Sequence, residues 1–220
     1  MLRRCSKLLL YVIVFIGYSL SYGGSYEDFF IAVKQDNADV VRNLIQRGFD
    51  ANTVDPNGQF AIILALKEPS VKVINVLLDD PSLQVEVRTK NDESPLMLAA
   101  LKGLLPQSER LIARGADVNK PGWAPLHYAA TGGHTLIVQM LLDSHAYIDA
   151  ASPNGSTPLM MAAMYGTTST TKLLLEAGAD PTLKNELGLS AIDFALRAKK
   201  MDSADVIAAF VRALKPSGVW

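Results

Sequence analysis

Apolar side chains along this chain fall into short blocks separated by polar turns, and within each block they recur at helical spacing. Ile137, Val138, Leu141 and Leu142 form such a set, which one face of an α-helix brings together. The blocks come in pairs. The apolar position near the end of each second block is Ile45, Leu78, Ile112, Leu142 and Leu175, at steps of 33, 34, 30 and 33 residues. The first block of a pair starts at Ala61, Pro95, Pro125, Pro158 and Ala191, at steps of 34, 30, 33 and 33. The phrase Ala124-Pro125-Leu126-His127-Tyr128-Ala129-Ala130 returns 33 residues later as Thr157-Pro158-Leu159-Met160-Met161-Ala162-Ala163. Several unrelated residue types keeping one register predict a repeated helical unit rather than a single globular fold.

Each part of the unit has a physical reason. Pro95, Pro125 and Pro158 suit the first turn of a helix, where the missing N–H is not needed. The pairs Ala99-Ala100, Ala129-Ala130 and Ala162-Ala163 keep one face thin, so that neighbouring helices approach closely. Gly132-Gly133 and Gly166 break the first helix, and the second ends at Gly48, Gly115 and Gly178, where a left-handed cap is wanted. An extended arm and a turn follow, as in Asp55-Pro56-Asn57-Gly58 and Ser152-Pro153-Asn154-Gly155. The predicted unit is helix, turn, helix, protruding loop.

These residues resemble the ankyrin repeat family. Gly115-Ala116-Asp117-Val118-Asn119 and Gly178-Ala179-Asp180 are similar to its post-helix signature, and Ala124-Pro125-Leu126-His127 and Gly133-His134 to its helix signatures. The resemblance covers about Tyr26 to Leu214 and implies an all-α fold, an α-solenoid of about six ankyrin repeats behind an N-terminal signal segment. The repeats are expected at about 25–58, 59–93, 94–122, 123–155, 156–188 and 189–220. His145 stands where the family has Gly, Phe60-Ala61 where it has Thr-Pro, and repeats one and six are degenerate. Degenerate ends are expected of units with a neighbour on one side only.

A different segment precedes the array. Arg3, Arg4 and Lys7 form a basic start, Leu8 to Leu20 an apolar run, and Ser19-Leu20-Ser21 a place for cleavage. That is the layout of a signal peptide over 1–21, with the mature chain starting near Tyr22 or Gly24. Thirteen residues are short for a membrane span, which needs about 20. A retained membrane anchor is the alternative; a twin-arginine signal fits the flanking residues poorly. Export is expected, to the periplasm if the source is bacterial. Removal of 1–21 takes three basic residues, leaving 18 Lys and Arg against 22 Asp and Glu, a net charge of −4. A mildly acidic array with no basic stripe argues against nucleic-acid binding. Cys5 is the only cysteine and precedes the apolar run, so the mature chain has no disulfide to form in an oxidising compartment.

Catalytic chemistry is not visible. His127 lies in the family's first-helix motif, whose histidine usually bonds between adjacent repeats; His134 begins a second helix, where turn groups need partners; His145 occupies a helix cap. No Ser or Cys stands in a recognisable nucleophile arrangement, and no glycine-rich phosphate loop is present. Asp55-Pro56-Asn57-Gly58 lacks the later carboxylate of a calcium loop and reads as a plain turn. Neither catalytic residues, metal ligands nor cofactors are expected.

Function is then expected of the surface. The resemblance implies a row of loop fingers beside a concave wall of first helices. Matching the family motif puts Trp123, Thr131, Asn154, Ser156, Met164, Tyr165, Leu187 and Leu189 there, continued by Asn91, Glu93, Leu101 and Lys102. Exposed apolar residues without a structural duty mark interaction sites. The expectation is a non-enzymatic exported module holding a protein partner on its concave face and loop tips, with a membrane-anchored adaptor as the alternative.

One loop departs from the rest. Gly115 to Gly122 spans 7 residues, against 10 for Gly48 to Gly58, His145 to Gly155 and Gly178 to Gly188, so one finger is shortened and Trp123 follows it. Trp123, Met164 and Tyr165 are expected to form one apolar patch; packing of Trp123 on Tyr128 or Pro121 is the competing reading.

Overall fold

The computed structural model describes residues 24–68 and 70–214. The expected signal segment and Cys5 lie outside the described residues. Within them the fold is all-helical, with no strand beyond one isolated antiparallel bridge between Val54 and Phe60. No helix among the described residues is long and apolar enough to cross a membrane. The chain divides into two compact units, meeting at Leu83 and Gln84.

The first unit holds α1 (24–34), α2 (Ala38–Gln46), α3 (Ala61–Lys67) and α4 (Val71–Asp79). Asn37 caps α2 by accepting the Val40 N–H at 3.3 Å. Asp36, held at φ 53°, accepts the Val73 N–H at 2.9 Å and ties one helical pair to the next. Phe29, fully buried, meets Phe49 with ring centres 4.4 Å apart. An aromatic contact thus joins α1 to the segment that follows α2.

The second unit holds α5 (Pro95–Lys102), α6 (Leu105–Ala113), α7 (Pro125–Gly132), α8 (Thr135–Asp143), α9 (Pro158–Met164), α10 (Thr168–Glu176), α11 (Ala191–Arg197) and α12 (Met201–Ala213). First helices α5, α7, α9 and α11 pack in one row and second helices α6, α8, α10 and α12 in another. Alanine makes the close approach possible: Ala99, Ala129, Ala162 and Ala195 are fully buried along the first row. Gly166 shows how tight this is. A Cβ there would stand 2.3 Å from the Ala130 carbonyl oxygen, which no side chain tolerates.

Helix starts follow the sequence. Ser94 Oγ accepts the Met97 N–H at 3.2 Å and Thr157 Oγ1 the Met160 N–H at 3.4 Å, each ahead of a proline at the first helical position. His145, standing in for Gly, adopts φ 66° in the left-handed region. Its carbonyl accepts from Asn119 Nδ2 at 2.8 Å, while Asn119 Oδ1 accepts the Tyr147 N–H at 2.8 Å. Those two bonds hold a backbone conformation that histidine alone disfavours. His134 reaches further than the expected turn contact: its Nε2 lies 3.0 Å from the Leu101 carbonyl of the preceding pair.

Candidate functional site

The loops decide where the site lies. Four fingers close with the same two backbone bonds. In the finger at 152–156 the Gly155 N–H donates to the Ser152 carbonyl at 2.8 Å and the Ser152 N–H to the Ser156 carbonyl at 3.0 Å. The fingers at 55–59, 89–93 and 185–189 repeat this pattern. The short loop from Gly115 to Gly122 forms neither bond. Gln59, Glu93, Ser156 and Leu189 each offer a carbonyl to their finger. The matching carbonyl of Trp123 instead accepts from Lys120 Nζ at 3.3 Å.

Beside this notch, Leu101, Trp123, Tyr128, Thr131, Met161 and Tyr165 line a pocket of about 200 Å³. Its lining comes from α5, α7, α9 and the short loop, all within the second unit. The repeat register explains the set: Leu101 and Thr131 are equivalent positions, as are Tyr128 and Met161. Met161 and Tyr165 share a helix face at i, i+4. Of the three hydroxyl groups in the lining, those of Thr131 and Tyr128 are engaged within the protein. Thr131 Oγ1 donates to the His127 carbonyl at 2.7 Å, and the Tyr128 hydroxyl to Glu93 Oε1 at 3.3 Å. Burial, reinforced by the Glu93 carboxylate, pushes the Tyr128 hydroxyl up to about 12, so it remains a donor. What the pocket offers is therefore mainly apolar contact, with the exposed Tyr165 at its edge.

Behind Trp123 stands His127, fully buried. The two rings meet edge to face, centres 5.3 Å apart. The Ala124 N–H donates to His127 Nδ1 at 3.2 Å, so Nε2 carries the proton and donates to the Ser156 carbonyl at 3.0 Å. Burial holds this imidazole below its ordinary pKa, with the neutral ring bridging two repeats as the motif leads one to expect. Charges gather among the neighbouring loops. Arg88 pairs with Glu86 and approaches Asp117 at 3.7 Å and Asp92 at 3.9 Å, while Lys120 pairs with Asp92.

The expected site residues divide among different places. Trp123, half-buried, Thr131, half-buried, and Tyr165, 58% exposed, converge on the pocket. Met164 is half-buried but lines no part of it; Met161, one turn earlier, takes that place. Ser156 is a correction: at 1% exposure it is not on the surface. Its N–H donates to Ser152 Oγ at 3.0 Å, its carbonyl accepts from His127, and its Oγ accepts from Asn185 Nδ2 at 3.4 Å. Asn154 is exposed at its fingertip, yet its Oδ1 builds the turn and its carbonyl accepts the Glu186 N–H of the next finger at 3.1 Å. Leu187, 76% exposed, and Leu189, half-buried, belong to that next finger, away from the pocket lining. Among the described residues, no group of three or more His, Cys, Asp or Glu side chains is placed to hold a metal ion.

Comparison with known proteins gives a consistent result. A family model described as ankyrin repeats (3 copies) matches residues 29–121 and 96–185. The chain is 32% identical over 162 residues to the nuclear factor NF-kappa-B p105 subunit of Gallus gallus, covering 70% of this chain and 16% of that protein. To a putative ankyrin repeat-containing protein of Treponema pallidum (strain Nichols) it is 28% identical over 181 residues, 78% of this chain and 58% of that one. It thus spans less than two thirds of either relative. Among solved structures it matches the human ASB11 ankyrin repeat domain with a TM-score of 0.74 at 24% identity, over 83% of this chain and 82% of that one. It also matches a chain in the complex of the Bd0816 predatory endopeptidase from Bdellovibrio bacteriovorus with immunity protein Bd3460. There the TM-score is 0.71 at 26% identity, over 83% of this chain and 97% of that one.

Proposed function

The chain belongs to the ankyrin repeat family, and from that premise we propose that it is an exported, non-enzymatic protein that captures a protein partner in the pocket between Trp123 and Tyr165. Ankyrin repeat domains are protein-interaction modules, so the open matters are which face binds and where. The observation that carries the reading is the pocket itself. A shortened finger leaves it uncovered, its lining is apolar, and the largest exposed ring at its edge, Tyr165, has no packing role that needs that exposure. Trp and Tyr at such positions are enriched among residues whose truncation costs binding most. Asn154 and Leu187, on the neighbouring fingertips, supply the rim of the same interface.

Export rests on Arg3, Arg4, Lys7 and the apolar run from Leu8 to Leu20. The likeness to a chain from an endopeptidase–immunity protein complex makes an exported peptidase the first partner to test. A photoreactive benzoylphenylalanine at Tyr165, compared with one at Leu136, exposed on α8, tests the face directly in intact cells. The reading requires a crosslinked partner from position 165 and none from 136; the reverse pattern refutes it. Sequencing the N-terminus of the recovered protein tests export, with Tyr22 or Gly24 expected and an intact Met1 in the membrane fraction contrary to it.

A further inference from the structure

The pocket wall rests on a group that titrates. Trp123 precedes Ala124 in the chain, Ala124 donates to His127 Nδ1, and the Trp123 ring stands edge-on against the imidazole. A second proton on the ring goes to Nδ1, the nitrogen that accepts the Ala124 N–H at 3.2 Å. Two donors then face each other inside a fully buried site, and one must move. Nothing nearby compensates the new charge. The imidazole's partners are backbone groups of Ala124, Ser156 and Ala150. On its own helix the ionisable neighbour is Tyr128, whose hydroxyl is committed to Glu93. At the end of α9 the ionisable group is its capping residue Tyr165, exposed; from α5 it is Lys102, exposed; from α8 it is Asp143, also exposed. From the adjoining loops, Lys120 reaches the Trp123 carbonyl and Asp92, while Asp149 accepts the Asp180 N–H at 3.2 Å. None of these carboxylates contacts the ring.

We propose that His127 is a pH switch for partner capture: mild acid protonates it, displaces Trp123 with Ala124, and dismantles the pocket while the helical array stays folded. The switch rests on the pocket being the binding site. Its range lies below the ordinary histidine value of about 6.5, because burial opposes the charged form. Capture is then full at neutral pH and released in acid, a response that a purely structural histidine buried away from a binding wall does not produce.

The test has two arms. In the first, Trp220→Phe leaves Trp123 as the only tryptophan, and its emission is followed from pH 7.5 to 5.0 beside far-ultraviolet circular dichroism. The expected result is a single titration below pH 6.5 in emission, with helicity unchanged and with the step abolished in His127→Gln. If that variant does not fold, the imidazole nitrogen shifts of the unaltered histidine, read by NMR, must titrate with the same midpoint as the emission. Emission that stays flat, or that changes only together with loss of helicity, overturns the switch. In the second arm, crosslinking from benzoylphenylalanine at position 165 is compared at pH 7.5 and 5.5. A loss of yield at pH 5.5 that matches the protonated fraction read from the Trp123 titration supports the proposal, and equal yields overturn it. A chain that crosslinks at neither pH, although Trp123 titrates, overturns the pocket as the capture site, and the proposal with it.

Discussion

Replacing Tyr165 with alanine separates what the ring does for folding from what it does for binding. The residue is 58% exposed, so the folded chain already leaves most of the ring in water. Of the ~200 Å² that a tyrosine of this kind can bury, roughly 80 Å² is covered here, worth about 2 kcal/mol at ~25 cal/mol per Å². For a chain of this size that lowers the melting temperature by about 4–8 °C. The remaining ~120 Å² is available to a partner and corresponds to about 3 kcal/mol, or roughly a 150-fold loss of affinity. Thermal melts of the free protein and titration of the crosslink-identified partner measure the two numbers on one variant. Both should fall, affinity by more than stability. A lowered melting temperature with affinity within twofold of the unaltered chain would refute the assignment of Tyr165 to the interface and make it a packing residue.

Three further outcomes follow from the same geometry. Lowering the pH below about 6.5 should reduce thermal stability, because the unfolded chain binds a proton that buried His127 resists; stability is fully present above that value, and in His127→Gln this slope disappears in melts recorded across pH 5 to 7.5. Gly166→Ala places a methyl 2.3 Å from the Ala130 carbonyl oxygen and should cost about 2 kcal/mol, seen as a melting temperature lower by about 4–8 °C. Inserting three residues after Lys120 restores the length of the other loops at an entropic cost below ~0.6 kcal/mol, so folding should be nearly unaffected while crosslinking from position 165 falls.

The sequence carries its architecture openly because each repeat is built from local signals. Prolines at helix starts, alanine pairs on the thin face and glycines at caps all recur in register, and the helical pairs stand where that register puts them. The shortened loop was legible in the same way, as three missing residues, and its consequence is visible in the two backbone bonds it lacks. His127 followed from the motif. Ser156 did not. Its position matches Trp123, but a full-length finger folds over it and His127 takes its carbonyl, so burial there depends on a bond from the neighbouring repeat. Met161 was overlooked for a related reason. Its sequence position reads as core, and only the notch beside α7 brings it, with Tyr128, to the pocket lining. The charged group around Arg88 left no pattern at all, because Glu86, Asp92 and Asp117 meet only when two successive loops lie side by side.

Where a partner sits decides whether the pocket is a binding site. Hydrogen–deuterium exchange of the protein alone and in complex with its captured partner measures that most directly. Protection is predicted over 123–131 and 161–166, with smaller changes at the fingertips near Asn154 and Leu187 and none in α8 or α10. Protection confined to α8 and α10, with 123–131 and 161–166 exchanging as in the free protein, would place the partner on the opposite row of helices and contradict the central claim.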